Sequence, residues 1–258
     1  MRIGIVQMQI LWENKEKNKE KILLFLTQAQ KEKIDLVLLP EMSLTGFSME
    51  VCKTKDSYAG QTIEWFQKIC RNRKLAIGFG WVEKNEQEKA LNHYSIVDKQ
   101  GNLISDYVKI HPFRYGKESE YFQGGNNIVC CNLLEHKIAT VICYDLRFPE
   151  LFRIQDKDCS VIIVPANWPA SRSSHWKCLL QARAIENQVY IIGINCCGMM
   201  DGSYYSGDSS VFSPVGERLL QVGDKETMAW IEINNDVKEY QSKFPVRMDQ
   251  RIQIKQEF

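Results

Sequence analysis

A thiol, a carboxylate and an amine each follow an apolar run of this sequence. Cys143 lies in "ATVICYDLRFPELF", Glu41 in "LLPEMS" and Lys109 in "DYVKIHPF". A thiol acts as a nucleophile in its thiolate form, and a neighbouring base can take up its proton. A carboxylate could be that base. A histidine could also serve, although none of the four histidines has a partner that sequence alone identifies. The residue types therefore allow cysteine-based nucleophilic catalysis, whereas Cys143 taken alone would be interpreted as a small buried hydrophobic residue.

The predicted secondary structure places these side chains at the ends of strands. The apolar run before Cys143 ends near Ile142, and Pro149 suits the first turn of a helix, so the thiol is expected at a strand-to-helix junction. Glu41 and Lys109 also follow or end strand patterns. In open α/β sheets, ligand sites form at the carboxyl ends of strands. We therefore expect one site there.

Apolar runs rich in Val and Ile alternate with two-faced helical patterns along the chain. The predicted strands lie in "RIGIVQMQI", "DLVLLPE", "LAIGFGWV", "KIATVICY", "CSVIIVPAN", "VYIIGINCC" and "TMAWIEI". Helices are predicted over 15–33, 62–74 and 173–188. Turn signals at Gln100-Gly101 and around Pro214 predict hairpins, so the sheets should be mixed. Such elements call for packed sheets covered by helices.

Length and composition favour one large α/β domain spanning 1–258. Lys and Arg number 33 against 32 Asp and Glu, so neither nucleic acid nor a membrane surface is expected as a partner. No stretch has the pattern of a signal peptide or a membrane span. Nine cysteines, an odd number lying mostly in apolar runs, are typical of reduced thiols. We therefore expect a cytoplasmic protein.

The three motifs, in this order, resemble the Glu-Lys-Cys triad of the nitrilase superfamily. Glu41 and Lys109 are 68 residues apart, and Lys109 and Cys143 are 34 apart, which fits that family. The resemblance continues through "HWKCLLQARAIENQVY" and "GDSSVFSPVGERLL" and covers nearly the whole chain. Within the superfamily, "KIHPFRYGKESEYFQGG", "NWPASRSSHW" and "EYQSKFP" are most similar to the bacterial omega-amidase-like branch.

This resemblance implies a four-layer αββα sandwich, commonly dimerised through its sheets, and therefore a homodimer. It also implies roles for the triad. Glu41 would be the general base, Cys143 the nucleophile that forms a thioester, and Lys109, with the backbone N–H of Tyr144, the stabiliser of the oxyanion. Glu118 matches a second family carboxylate that orients Lys109 or the substrate. Glu120, two residues further along, is the alternative. The spacing between Glu118 and Gly125 favours Glu118.

The branch suggests a substrate that is a small oxo acid with a terminal amide, of the 2-oxoglutaramate or 2-oxosuccinamate type. Its carboxylate needs a cationic anchor, for which Arg114 and Arg172 are the candidates, and Trp168 could form a wall of the pocket. Arg147 is interpreted as structural, as is the pair formed by Arg183 and Glu186 on a predicted helix.

Other functions remain open at the level of sequence. A nitrile or an N-carbamoyl amine could be the substrate, since the triad is shared and the pocket walls decide specificity. The chain could also be a catalytically silent binding module, in which Cys143 is a small buried hydrophobe. Neither a metal nor a cofactor is expected, because adjacent cysteines lack the spacing of zinc sites. The pattern G-x-S-x-G of a serine nucleophile is absent.

Overall fold

The computed structural model describes residues 1–58, 60–84, 89–155 and 157–252. Strands of the described residues are, in chain order, β1 (Arg2–Gln7), β2 (Leu36–Leu38), β3 (Ala76–Glu83), β4 (Leu91–Val97), β5 (Leu103–Val108), β6 (Cys130–Leu133), β7 (His136–Thr140), β8 (Val161–Ala166), β9 (Tyr190–Asn195), β10 (Cys197–Met200), β11 (Ser203–Ser206), β12 (Ser210–Phe212), β13 (Arg218–Gln221) and β14 (Thr227–Glu232). The helices are α1 (Lys15–Lys31), α2 (Val51–Thr54), α3 (Gln61–Arg73), α4 (Glu118–Tyr121), α5 (Pro149–Arg153), α6 (Ser173–Asn187) and α7 (Val237–Lys243).

The described strands form two mixed sheets of six strands each and one separate hairpin. The first sheet has the order β14-β1-β2-β3-β4-β5, and the second has the order β13-β12-β9-β8-β7-β6. In each sheet, three adjacent central strands run parallel, namely β1, β2 and β3 in the first and β7, β8 and β9 in the second. The hairpin pairs β10 with β11. Mixed sheets were predicted, and the topology confirms them.

The sheets pack face to face because alternate residues of their strands point in opposite directions. In β2, Leu36 and Leu38 join a core shared with Ile163 of the second sheet, whereas Val37 faces the other way. Val37 packs with Leu26 of α1 in a second core. The strand is therefore covered on both faces, which explains its uninterrupted apolar sequence.

Amphipathic helices cover the outer faces of both sheets. On α1, Ile22, Leu26 and Ala29 recur at helical spacing and are fully buried. On α6, Trp176 and Leu180 join the core of the second sheet. The α6 helix approaches that sheet so closely that a Cβ on Gly193 would lie 2.4 Å from Leu180. The order of layers is helix, sheet, sheet, helix, so the expected αββα sandwich is confirmed.

Most predicted elements occur within a few residues of their expected bounds. The predicted hairpin turns are present, with Gly101 at φ +84° between β4 and β5 and Gly216 at φ +83° between β12 and β13. Pro149 occupies the first turn of α5, as predicted. One detail differs, because β7 ends at Thr140 and a 3-10 turn over Cys143–Arg147 separates it from α5.

Candidate active site

The thiol, the ammonium and the Glu41 carboxylate predicted from the sequence lie at the carboxyl ends of strands from both sheets, and Glu118 begins α4. Glu41 follows β2, and Lys109 follows β5 directly. Cys143 follows β7 of the opposing sheet. Because the two sheets face each other, these strand ends bring the three side chains into one buried site.

The Lys109 ammonium lies between two buried carboxylates. Its Nζ donates to Oε1 of Glu41 at 3.0 Å and to Oε2 and Oε1 of Glu118 at 2.8 and 3.1 Å. All three side chains are at most 1% exposed. Burial alone would lower the pKa of Lys109, but the charges of Glu118 and Glu41 outweigh it and raise that pKa above its usual value. Lys109 is therefore a fixed cation.

Glu118 is held in this cluster by three donors. Besides Lys109, Asn92 donates its Nδ2 to Oε1 at 3.1 Å, and the backbone N–H of Phe113 donates to Oε2 at 2.5 Å. Burial raises the pKa of Glu118; Lys109 acts against that shift, whereas Glu41 adds to it. The other candidate, Glu120, is exposed. The structure places Glu118, and not Glu120, beside the ammonium.

The Glu41 carboxylate is oriented from both sheets. Asn92 of β4 donates to Oε1 at 2.8 Å, and the backbone N–H of Asn167, just after β8, donates to Oε2 at 2.9 Å. The turn that carries Glu41 also packs against Gly80 of β3, where a Cβ would lie 2.3 Å from the Met42 nitrogen. Only glycine permits this close approach.

Cys143 has a strained backbone, and Asp145 holds the turn around it. The φ of Cys143 is +49°, a left-handed value that non-glycine residues rarely adopt and that is common at functional sites. The buried Asp145 carboxylate accepts from the backbone N–H of Ile142 at 3.0 Å, the N–H of His111 at 2.9 Å and the hydroxyl of Tyr107 at 2.8 Å. Asp145 therefore connects the turn of the thiol to the segment that follows Lys109.

The Cys143 thiol is protonated at rest. Burial raises its pKa well above the usual value, the negative charge of Glu41 adds to this shift, and Lys109 only partly opposes it. The Sγ atom lies 4.0 Å from the carbonyl oxygen of Asn167. Formation of the thiolate therefore requires transfer of the proton to a base, rather than a permanently ionised sulfur.

A cavity of about 360 Å³ opens above this cluster. Its lining includes Cys143 and Lys109, the aromatic side chains of Tyr144 and Trp168, and the guanidinium of Arg172. Tyr144, Trp168 and Arg172 were predicted to border the pocket, and the structure brings all three to it. A volume of this size suits a small substrate.

The structure corrects two expectations about arginines. Arg114 is exposed in the 3-10 turn Arg114–Gly116 and is not among the described residues that line the cavity. Arg147, which was interpreted as structural, does line it. Its guanidinium carbon lies 4.8 Å from the ring centre of Trp168, and its Nη2 donates to Nδ1 of His175 at 3.2 Å. Arg183 forms a 3.0 Å ion pair with Glu186, which agrees with the structural role predicted for this pair.

Sequence reasoning missed Asn92, Asn167 and Asp145. The one available signal was position, because each is a polar residue in or directly beside an apolar strand pattern: "LNHYSIV", "VIIVPAN" and "VICYD". Buried polar side chains have hydrogen-bond partners, so a polar residue in such a run predicts a network. The identity of the partners depends on the tertiary structure.

The described residues provide neither a metal-binding cluster nor a membrane-spanning helix. They contain no group of three or more His, Cys, Asp or Glu side chains arranged to hold a metal ion. No helix among them is long and apolar enough to cross a lipid bilayer.

Comparisons with known proteins agree with this fold and site. The sequence profile of the carbon-nitrogen hydrolase family matches residues 2–242. The chain is 31% identical over 254 residues to the 2-oxoglutaramate amidase of Bacillus subtilis strain 168, covering 96% of this chain and 97% of that protein. It is 34% identical over 220 residues to omega-amidase YafV of Escherichia coli K12, covering 83% and 84% respectively.

A solved structure shows the same architecture. XC1258 of Xanthomonas campestris, described as a CN-hydrolase superfamily protein with an arsenic adduct in the active site, has a TM-score of 0.93 at 28% identity, with 99% of this chain and 98% of that chain covered. The chain belongs to the carbon-nitrogen hydrolase family. The resemblance to the nitrilase superfamily that the motifs indicated is thus confirmed.

Proposed function

We propose that this chain is an amidase that releases ammonia from the terminal amide of a small oxo acid, of the 2-oxoglutaramate or 2-oxosuccinamate type. The observation that carries this proposal is that one cavity contains both a nucleophile and cationic side chains. The lining presents a nucleophile, Cys143, together with two guanidinium groups, those of Arg147 and Arg172. The relatives named 2-oxoglutaramate amidase and omega-amidase support the same substrate class.

In the first half of the proposed reaction, Glu41 takes the proton of the Cys143 thiol as the sulfur attacks the amide carbonyl carbon. The carbonyl oxygen becomes an oxyanion. The Lys109 ammonium and the backbone N–H of Tyr144 stabilise its charge. Protonated Glu41 then gives its proton to the amide nitrogen, the carbon–nitrogen bond breaks, and ammonia leaves behind a thioester.

In the second half, Glu41 is again a carboxylate and takes a proton from a water molecule that attacks the thioester carbon. The same two donors stabilise the second oxyanion. The carbon–sulfur bond then breaks, the sulfur regains its proton from Glu41, and the diacid product leaves. Both carboxylate oxygens of Glu118 accept hydrogen bonds from Lys109. Glu118 therefore affects the reaction by positioning Lys109.

The two guanidinium groups would bind the acid end of the substrate. A guanidinium can hold a carboxylate through two parallel hydrogen bonds. The side chain of Arg147 is pre-oriented, since it stacks on Trp168 and donates to His175. Arg172 lies over the ring of Phe113, with its guanidinium carbon 5.5 Å from the ring centre. We infer that Arg147 is the main anchor, because its contacts fix it most tightly.

Ammonia release from 2-oxosuccinamate and from its uncharged methyl ester tests this function. Wild type should prefer the acid, and Cys143→Ala should abolish release while remaining folded. Arg147→Ala should raise KM for the acid by about tenfold or more and leave the ester unaffected. Arg114→Ala, the exposed control, should match wild type. If wild type and Arg147→Ala both hydrolyse acid and ester equally well, the pocket does not bind a carboxylate. A nitrile or an N-carbamoyl amine would then be the preferred substrate.

We also propose that the chain acts in the cytoplasm as a homodimer, as the family resemblance implies. Sedimentation velocity of the purified chain at several concentrations would test the assembly, and a single species with the mass of one chain would contradict it.

A further inference from the structure

The hairpin formed by β10 and β11 contributes a tyrosine to the catalytic cavity. Side chains alternate along β11, so Ser203 and Tyr205 share one face and line the cavity. Tyr204 points the other way and is 46% exposed, whereas Tyr205 is 7% exposed. Tyr205 is therefore a buried phenol at the edge of the reaction site.

The hydroxyl of Tyr205 makes no hydrogen bond to any residue that the structure describes. A buried tyrosine hydroxyl usually has a partner. Tyr94, Tyr107 and Tyr190 follow this rule, and each donates to a protein oxygen at 2.8 to 3.0 Å. Because Tyr205 lines the cavity, its unpartnered hydroxyl is available to a substrate bound there.

Asp208 links the strand that carries Tyr205 to the segment that carries Arg172. Its Oδ2 accepts from the hydroxyl of Ser206 at 2.8 Å and from that of Ser173 at 2.7 Å. Ser206 follows Tyr205 in the sequence, and Ser173 follows Arg172. One buried carboxylate therefore connects the two elements that present the phenol and the guanidinium, so both groups have a defined separation.

The phenol is a hydrogen-bond donor at neutral pH. Burial raises the pKa of Tyr205, and the negative charge of Glu41 raises it further. The hydroxyl thus keeps its proton and matches an acceptor oxygen rather than a cation.

We propose that the Tyr205 hydroxyl donates a hydrogen bond to the 2-oxo oxygen of the substrate and so selects oxo acid amides over acid amides that lack this oxygen. This inference rests on the proposed function. In such a substrate, Lys109 and the Tyr144 N–H meet the amide oxygen, and the guanidinium groups meet the carboxylate. The 2-oxo oxygen is the acceptor that remains. Among the hydroxyl groups of the described lining residues, Tyr205 presents the one that belongs to a buried residue and has no protein partner, whereas those of Tyr115, Tyr144, Ser171 and Ser203 belong to residues that are more exposed.

Kinetics with 2-oxosuccinamate and succinamate, which differ only in the oxo group, test this role. Tyr205→Phe removes the hydroxyl and keeps the ring, so kcat/KM for 2-oxosuccinamate should fall by about tenfold, the scale of one lost neutral hydrogen bond. For succinamate, kcat/KM should stay within about twofold of wild type. Tyr204→Phe is the matched control on the exposed face of the same strand and should leave both values unchanged.

The outcomes separate this inference from the proposed function. Suppose that wild type hydrolyses both amides, and that Tyr205→Phe changes kcat/KM for the two by the same factor or changes neither value. The amidase function then stands, and the 2-oxo contact is wrong. If wild type hydrolyses neither amide, the proposed function fails and this inference fails with it. A loss confined to the oxo substrate, with an unchanged melting temperature, supports the contact.

Discussion

Asn167 donates three hydrogen bonds to Glu41 across the interface between the sheets, and the longest, from its side-chain Nδ2 to the carboxylate Oε2, measures 3.4 Å. Its backbone N–H reaches the carboxylate Oε2 at 2.9 Å, and its side-chain Nδ2 reaches the Glu41 carbonyl oxygen at 2.8 Å. The two residues are 126 positions apart in the sequence. The carbonyl oxygen of Asn167 also lies 4.0 Å from the sulfur of Cys143. One asparagine therefore sets the position of the base relative to the nucleophile.

Asn167→Ala should lower kcat by about tenfold and leave KM within about twofold of wild type. The variant loses both side-chain hydrogen bonds to Glu41, one to its carbonyl oxygen and one to its carboxylate, which weakens the orientation of the base by about 1 kcal/mol or more. Steady-state ammonia release measures both constants. Asn187→Ala is the matched control, because Asn187 is equally buried but bonds to Arg183 on α6. A similar loss of kcat in the control would show that lower stability, rather than orientation, is the cause.

Lys109→Met should lower kcat by a hundredfold or more, the scale seen when an oxyanion donor is removed. Lys109→Arg should not restore activity, because a planar guanidinium cannot replace a compact ammonium between Glu41 and Glu118. Lys109→Met also leaves two buried carboxylates without their cation. Its stability should fall as pH rises from about 5 to 8, since burial raises the pKa of Glu118, which must then ionise without its cation. Urea unfolding at both pH values measures this. Turnover close to wild type would exclude Lys109 from the mechanism.

Glu118→Gln should reduce kcat by about tenfold, because a neutral amide holds Lys109 with one acceptor oxygen instead of two charged ones. Glu120→Gln, two residues away and exposed, should have no effect. The comparison uses the same assay for both variants. A loss of kcat in Glu120→Gln, with kcat unchanged in Glu118→Gln, would show that Glu120 and not Glu118 positions Lys109.

The sequence alone predicted those parts of this molecule that depend on local pattern. The apolar period identified α1 and α6, and the continuous runs identified β2 and β8, because such strands are buried on both faces. The strand β4 gave no such run. Asn92 and His93 interrupt its apolar pattern. Asn92 donates a hydrogen bond to Glu41. His93 lies between the carboxylates of Glu83 and Asp106 on the neighbouring strands.

Parts of the candidate site that depend on tertiary geometry were not predictable in this way. The position of Arg147 depends on the left-handed backbone at Cys143, which starts the 3-10 turn that carries both residues. No local pattern distinguishes a cysteine with φ of +49° from one in an ordinary strand end. Arg114 looked suitable by its distance from Lys109 in the sequence, but its own 3-10 turn leaves it exposed.

The buried thiols predict how stability depends on pH. Burial raises the pKa of Cys70 and Cys131 to about 12 and that of Cys197 to about 11. In the unfolded chain these thiols ionise near pH 8.5. Between about pH 8.5 and 11 the unfolded state therefore binds fewer protons than the folded state, so the free energy of unfolding decreases as pH rises. Each thiol should contribute at most about 1.4 kcal/mol per pH unit.

Urea unfolding under reducing conditions at pH 7.5, 9 and 10 should show this decrease, and single substitutions should assign it. Cys70→Ala removes one buried thiol, so its free energy of unfolding should decrease less steeply with pH than that of wild type, whatever its stability at pH 7.5. Cys52→Ala removes an exposed thiol and should keep the wild-type slope. Identical slopes in wild type and Cys70→Ala, or a stability that rises above pH 8.5, would mean that the buried thiols do not keep their protons in the folded protein.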